Sequence, residues 1–239
     1  MKALVLASSA LPCKCEVSLR ALGFEVILMP PSPRLQTPVS SHPDMLTFIL
    51  GNKYLCTKEY YLSTKETFDK INSLGYSPVI TDEVHGEKYP NDILFNALPL
   101  KDKLFCFEKG ISRVLADYAK NNGLKIINTK QGYTKCSVCK VSDNAIITAD
   151  SGIAELAKEN GADVLLITEG HVKLDGYEYG FIGGASGLFD NTVYFCGDIM
   201  KHQNGKEIAD FCKKHKKEYI CLSNEELFDV GTLFFLSKV

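Results

Sequence analysis

The sequence predicts an α/β fold of five similar units: a five-bladed, pseudo-fivefold α/β propeller closed by pairing of its N- and C-terminal strands. Three observations predict it. One pattern recurs about every 50 residues: a short strand, a polar turn, a second strand ending in an acid, a helix and a buried strand. Its equivalent second-strand positions are Leu4, Leu55, Phe105, Ile146 and Tyr194. The phase runs on through the termini, so one copy is split between the chain ends, which removes the sheet edges an open array would have to cap. Finally, three strands accompany each helix, whereas a doubly wound sheet alternates one strand with one helix.

The first copy has a strand from Asp44 to Leu50, the turn Gly51-Asn52-Lys53 and a strand from Tyr54 to Glu59. Ser63-Thr64-Lys65-Glu66 reads as a capping box, and Phe68, Ile71 and Leu74 form one apolar helical face that Gly75 ends. Pro78 to Thr81 closes the copy. The second runs Asp92 to Leu100, turns at Lys101-Asp102-Lys103, and continues through Leu104 to Glu108, a helix bearing Ile111, Val114, Leu115 and Tyr118, and Lys125 to Asn128. The third has Cys136 to Val141, Ala145 to Asp150, a helix capped by Ser151, and Val164 to Thr168. The fourth has Phe181 to Phe189, Val193 to Asp198, a helix with Ile208 and Phe211, and Tyr219 to Leu222. The split copy joins Asp229 to Leu236 with Ala3 to Ser8, a helix from Glu16 to Leu22, and Phe24 to Leu28. The whole chain, 1–239, thus reads as one domain with blades at 42–81, 92–128, 135–168, 181–222, and 229–239 plus 1–28.

This repeat pattern resembles the pentein superfamily: dimethylarginine dimethylaminohydrolase, the arginine and agmatine deiminases, and the non-enzymatic ribosome anti-association factor. The segment Pro90-Asn91-Asp92-Ile93-Leu94-Phe95-Asn96 resembles the proline–aspartate–apolar substrate strand of the dimethylarginine hydrolases. The resemblance implies a cysteine-dependent hydrolase acting on a small guanidino or amidine compound, or a non-catalytic relative that binds a ligand or macromolecule. In the enzymes a thiolate attacks the guanidinium carbon, a histidine serves as acid and base, and carboxylates hold the cation. Two departures weigh against the standard reaction. The last-blade strand, Asp229-Val230-Gly231-Thr232-Leu233, has no cysteine, and Asn96 stands where the family has an acid.

Composition narrows the partners. At 45% hydrophobic and 23% charged, with a formal net charge of −2, the 239 residues can bury a core and carry no field that draws nucleic acid or anionic lipid. No apolar run approaches the roughly 18 residues of a membrane span. The opening Met1 to Ala10 resembles a short secretion signal, but the repeat phase assigns it to a strand. Nine cysteines at irregular spacing, several inside strand-like apolar runs, predict reduced thiols in the cytoplasm.

In each hairpin the start of the first strand and the end of the second share one end, so five blades gather those positions around one mouth. His42, Asp44, Asp92, Asn96, Gly183, Gly184, Ser186 and Asp229 are expected there as ligand-binding residues, with glycines marking a close approach of ligand or backbone. The acids Glu59, Glu108, Asp150 and Asp198 read as rim or cap residues. Cys136 beside Lys135, a cation expected to lower the thiol pKa, is the candidate nucleophile. His171, in a histidine–apolar–lysine run resembling the family's histidine strand, is the candidate acid/base, against the reading of a surface-loop histidine. Cys13, Cys15, Cys136 and Cys139 form a possible four-thiolate set, but their spacing is poor for zinc and no metal is expected. No cofactor is expected either, and the partner is a small molecule.

Overall fold

The computed structural model describes residues 3–239. Five three-stranded sheets share one strand order: an edge strand, antiparallel to a central strand, which is parallel to a closing strand. They are Phe48–Leu50, Lys53–Thr57 and Ser77–Thr81; Leu98–Leu100, Lys103–Cys106 and Lys125–Asn128; Val138–Ser142, Ala145–Thr148 and Asp163–Leu166; Ser186–Phe189, Thr192–Phe195 and Glu218–Cys221; and Phe234–Leu236, Leu4–Ser8 and Glu25–Met29. In the last, Leu4 pairs with Leu236 and Leu6 with Phe234, antiparallel. The termini therefore meet in one sheet, as the repeat phase requires.

The central strands are the most apolar segments and are buried throughout most of their length. Each is flanked by strands on both sides and covered by the helix that follows it. Arg113–Asn121 shows the arrangement: Leu115 and Ala119 face Leu104 and Cys106 of the neighbouring central strand. Removing a Leu or Phe of this kind from water contributes roughly 1.5–3 kcal/mol. All nine cysteines are free thiols, and Cys56, Cys106 and Cys196 pack as small apolar side chains within or at the end of central strands. Among the described residues no helix is long and apolar enough to cross a membrane.

Several element ends differ from expectation, each for a local reason. Asp150, and not Ser151, caps the third helix, its carboxylate accepting from Ile153 N at 2.8 Å. In the first copy Thr57 caps a separate short helix, Lys58–Ser63, ahead of Lys65–Ser73. The first helix of the chain begins at Cys13, directly after Pro12. Most important for the site, the edge strands are short. Asp92, Gly183, Gly184 and Asp229 lie in turns and loops ahead of them, and Asp44 in the one-turn helix Pro43–Leu46, where backbone polar groups are free to bond across the sheets.

Candidate functional site

Those loops meet at the centre. Asp44 N donates to Gly231 O at 3.1 Å, Gly184 N to Cys136 O at 2.9 Å, and Val230 N and Thr232 N both to Gly184 O. The glycines are needed for this closeness. A Cβ on Gly184 would lie 1.9 Å from Asp229 Oδ1, one on Gly183 within 2.5 Å of three backbone carbonyls, and one on Gly231 2.2 Å from His42 Cβ.

A buried polar network runs through the meeting point. Lys135 Nζ donates to Thr232 Oγ1 at 2.9 Å, and Thr232 Oγ1 donates to Asp44 Oδ2 at 2.8 Å. The Cys136 thiol, 4% exposed, donates to the same Asp44 oxygen at 3.1 Å. Asn96 Nδ2 donates to Cys136 Sγ at 2.9 Å, while Asn96 Oδ1 accepts from the backbone N–H of Lys135 and Cys136. Asp229 accepts from Phe181 N and Gly231 N. Asp92, one turn ahead of Asn96, accepts from the Tyr133 hydroxyl at 2.6 Å. Four buried atoms have no hydrogen-bond partner among the described residues: both ring nitrogens of His42, whose Nδ1 lies 3.8 Å from Asp229 Oδ1, together with Asp44 Oδ1 and Asp92 Oδ1. Thr232, a β-branched residue at φ +74°, sits in a backbone region that such residues seldom adopt.

Burial dominates the charges here. It raises the Asp44 carboxyl and lifts Asp229 to about 6, and it depresses the His42 imidazole to about 4, so His42 is neutral near pH 7. The Cys136 thiol is pushed well above its ordinary value by burial and then by Asp44 and Asp229. That reverses the expectation for Lys135 as an activating cation. The ammonium of Lys135 donates to Thr232 and not to the sulfur, and Asp44, which accepts from both Thr232 and the thiol, lies between the two.

His171 does not join this network. Its Nε2 pairs with Gln203 Oε1 at 3.2 Å, its ring lies 4.9 Å from that of His202, and it lines a separate cavity of about 170 Å³ with Glu169, Asp150 and Phe181. The parallel pairing of Val172–Lys173 with Leu227–Phe228 anchors the segment that follows it. The expected Cys136–His171 dyad is therefore not formed. Nor do the four thiols of the zinc alternative converge, since Cys15 packs against Cys196 and Cys136 bonds Asp44. Ser186 is buried nearby, its hydroxyl donating to Gly183 O. Tyr133 was not expected at the site, whereas Thr232 ends the Asp229 to Thr232 stretch expected at the mouth. No motif marks them, and only the Gly231-Thr232 pair at the start of an apolar run hints at a special backbone.

The same overall arrangement is found in solved structures of low sequence identity. A dimethylarginine dimethylaminohydrolase from Pseudomonas aeruginosa, complexed with citrulline, is 12% identical with a TM-score of 0.60, covering 93% of this chain and 92% of its own. Agmatine deiminase from C. jejuni is 12% identical with a TM-score of 0.56, covering 98% and 93%. An amidinotransferase of the saxitoxin pathway from Microseira wollei is 11% identical with a TM-score of 0.55, covering 93% and 88%. These are pentein-superfamily proteins, and the likeness shows that fold for this chain. No curated protein matches the sequence. Residues 6–234 match the model of a family of unknown function (DUF6873), and the chain belongs to that family.

Proposed function

We propose that this chain is a binding protein of pentein fold whose central acids take a small amidinium or guanidinium cation without attacking it. In this reading the five sheets stand as blades around a common axis, closed by the terminal strand pair, and the site looks out of one face. Nine free thiols fit a protein of a reducing compartment such as the cytoplasm.

The unpartnered carboxylate oxygens of Asp44 and Asp92 carry the proposal. A buried acceptor without a donor costs about 1–3 kcal/mol, more if charged, and a planar cation with several N–H groups removes that cost. His42, neutral and without a hydrogen bond to its ring, offers a further acceptor. Against covalent chemistry, the thiol is held protonated, donates to Asp44, and lacks the His171 partner.

A second reading, a cysteine-dependent hydrolase of amidine C–N bonds, has one specific observation in its favour. The Asn96 Nδ2–H directed at Cys136 Sγ is a donor that a thiolate would use. The named activities of the fold neighbours agree with that chemistry.

One experiment separates the two. Guanidine, benzamidine, agmatine and arginine are titrated against the protein by calorimetry, with ammonia and urea release followed and cysteine alkylation mapped at pH 7 to 9. The expected result is saturable binding that Asp44→Asn weakens at least tenfold, no product, and alkylation at exposed Cys13 with Cys136 protected. Turnover abolished by Cys136→Ser establishes the hydrolase instead, and absence of binding by all four at millimolar concentration ends the cation reading.

A further inference from the structure

A second cavity, of about 290 Å³, opens on the other side of the polar network. All five edge strands line it: Ile49, Pro99, Lys140, Leu188 and Phe234 each come from a different sheet. Its walls are mostly aliphatic and aromatic. Its polar residues are Lys135, Lys140, Ser186 and Thr232, with no acid among them.

Lys135 is the informative residue. It is 9% exposed; its ammonium stands 6.0 Å from the centroid of the Phe234 ring, and Thr232 Oγ1 is the one hydrogen-bond acceptor it finds among the described residues. An ammonium has three donors. Two N–H groups are thus left at an apolar cavity, where a buried donor without an acceptor is costly. Lys140, further out, already donates to Pro99 O and pairs with Asp143 at 2.8 Å. Ser186 is committed to Gly183 O.

We infer that this cavity is a binding site for a small amphipathic monocarboxylate, its carboxylate on Lys135 and its hydrocarbon against the edge strands. One available cation suits one negative charge. A phosphate, with up to two charges and three acceptor oxygens, would find no further donors on these walls. At about 30 Å³ per water-sized volume, the space suits about ten non-hydrogen atoms, the size of octanoate. The inference stands independently of the cation reading, because it uses the opposite side of the network.

Calorimetry with octanoate, octylammonium and octanol tests it on the full chain. Octanoate should bind one-to-one, with octylammonium and octanol at least tenfold weaker. Lys135→Met should weaken octanoate at least tenfold. Because that change also disturbs the network, Ile49→Trp serves as the second variant: it fills the cavity without touching the network and should abolish binding. Guanidine should leave octanoate bound. Absence of octanoate binding at millimolar concentration, equal binding of octylammonium or octanol, unchanged affinity in Ile49→Trp, or displacement by guanidine would each overturn the inference. Failure of guanidine itself to bind bears only on the other site.

Discussion

The two sides of the central network are built from the same five repeats and differ in every property that matters for a ligand. On one side, the segments ahead of the edge strands pack Asp44, Asp229 and His42 closely around Gly184 and Gly231, with Asp92 held beside Tyr133. On the other, the edge strands themselves present hydrocarbon around a cavity whose charged groups are lysines. The boundary is a single relay, Lys135 to Thr232 to Asp44. Polarity along the centre is therefore set by position within the repeat. Residues before the strand are free to be polar because they bond across to one another, whereas strand residues are mostly apolar, with Lys140 and Ser186 the polar ones at the cavity.

The largest expected effect tests the difference in packing. Gly184→Ala drives a methyl group into Asp229, which its bonds to Phe181 N and Gly231 N hold in place. We expect a loss of about 3 kcal/mol or more in urea unfolding, at the upper end of overpacking costs. Leu188→Phe, which adds volume to the lysine-side cavity, should cost less than about 1 kcal/mol. Similar losses for both variants would mean that the two sides are equally packed.

The fold was legible because its signals are local and repeated. Polar turns at 51–53, 101–103, 142–144 and 190–192 fix the hairpins, and the central strands follow them within a residue or two. Which residues cluster was legible more than how they face one another. Asp44, Asn96, Cys136, Gly183, Gly184 and Asp229 do meet, because repeat phase alone places them at one end. Strand length was misread there: Asp92-Ile93-Leu94-Phe95 is apolar enough to pass for strand, yet only Leu98–Leu100 pairs. Orientation was misread at Lys135, whose cavity-facing ammonium cannot be read from its being next to Cys136. His171 faces a different cavity, since a histidine's sequence neighbours do not reveal which loop it faces. The lysine-side cavity left no motif, being made of ordinary residues brought together from the edge strands of separate sheets.

A smaller effect separates the buried acid from the buried base on the acidic side. Asp229 is held at about 6 against an ordinary 3.8. Between those pH values the folded protein keeps a proton that the unfolded chain has lost, so this group's contribution falls as pH rises, by roughly 3 kcal/mol in all. Asp44, also raised by burial, acts in the same sense. His42, held at about 4 against 6.5, does the opposite: across that window the unfolded chain binds the extra proton, and stability rises with pH. His85 and His202, also near 4, add to that rise. Removing the Asp229 titration with Asp229→Asn should therefore steepen the rise in stability between pH 4 and 6, by about one proton in the linkage slope. Urea midpoints at half-unit pH intervals measure it. Parallel curves for the two proteins would show that Asp229 is already ionised in the fold, and that the acidic side is less dry than its burial implies.

The smallest effect tests whether the relay joins the two sides or divides them. A carboxylate seated on Lys135 supplies negative charge where the ammonium had been balancing Asp44. The acidic side is then less compensated, and a guanidinium there gains. The Lys135–Thr232–Asp44 contacts span 2.9 and 2.8 Å, so with one ligand contact at each end the two ligand charges lie on the order of 10 Å apart. At an effective dielectric near 20 that separation is worth about 1–2 kcal/mol. Octanoate at saturation should therefore tighten guanidine about fivefold, and guanidine should tighten octanoate by the same factor, since coupling between two binding equilibria is reciprocal. Thr232→Val keeps the branched shape but removes the hydroxyl that links the ammonium to the carboxylate. If the hydrogen-bonded relay transmits the effect, the coupling shrinks in this variant while each ligand still binds. If direct attraction between the two charges is responsible, the coupling persists there and falls only with added salt. A factor of one in the unmodified protein would make the two sides independent sites that merely share a wall.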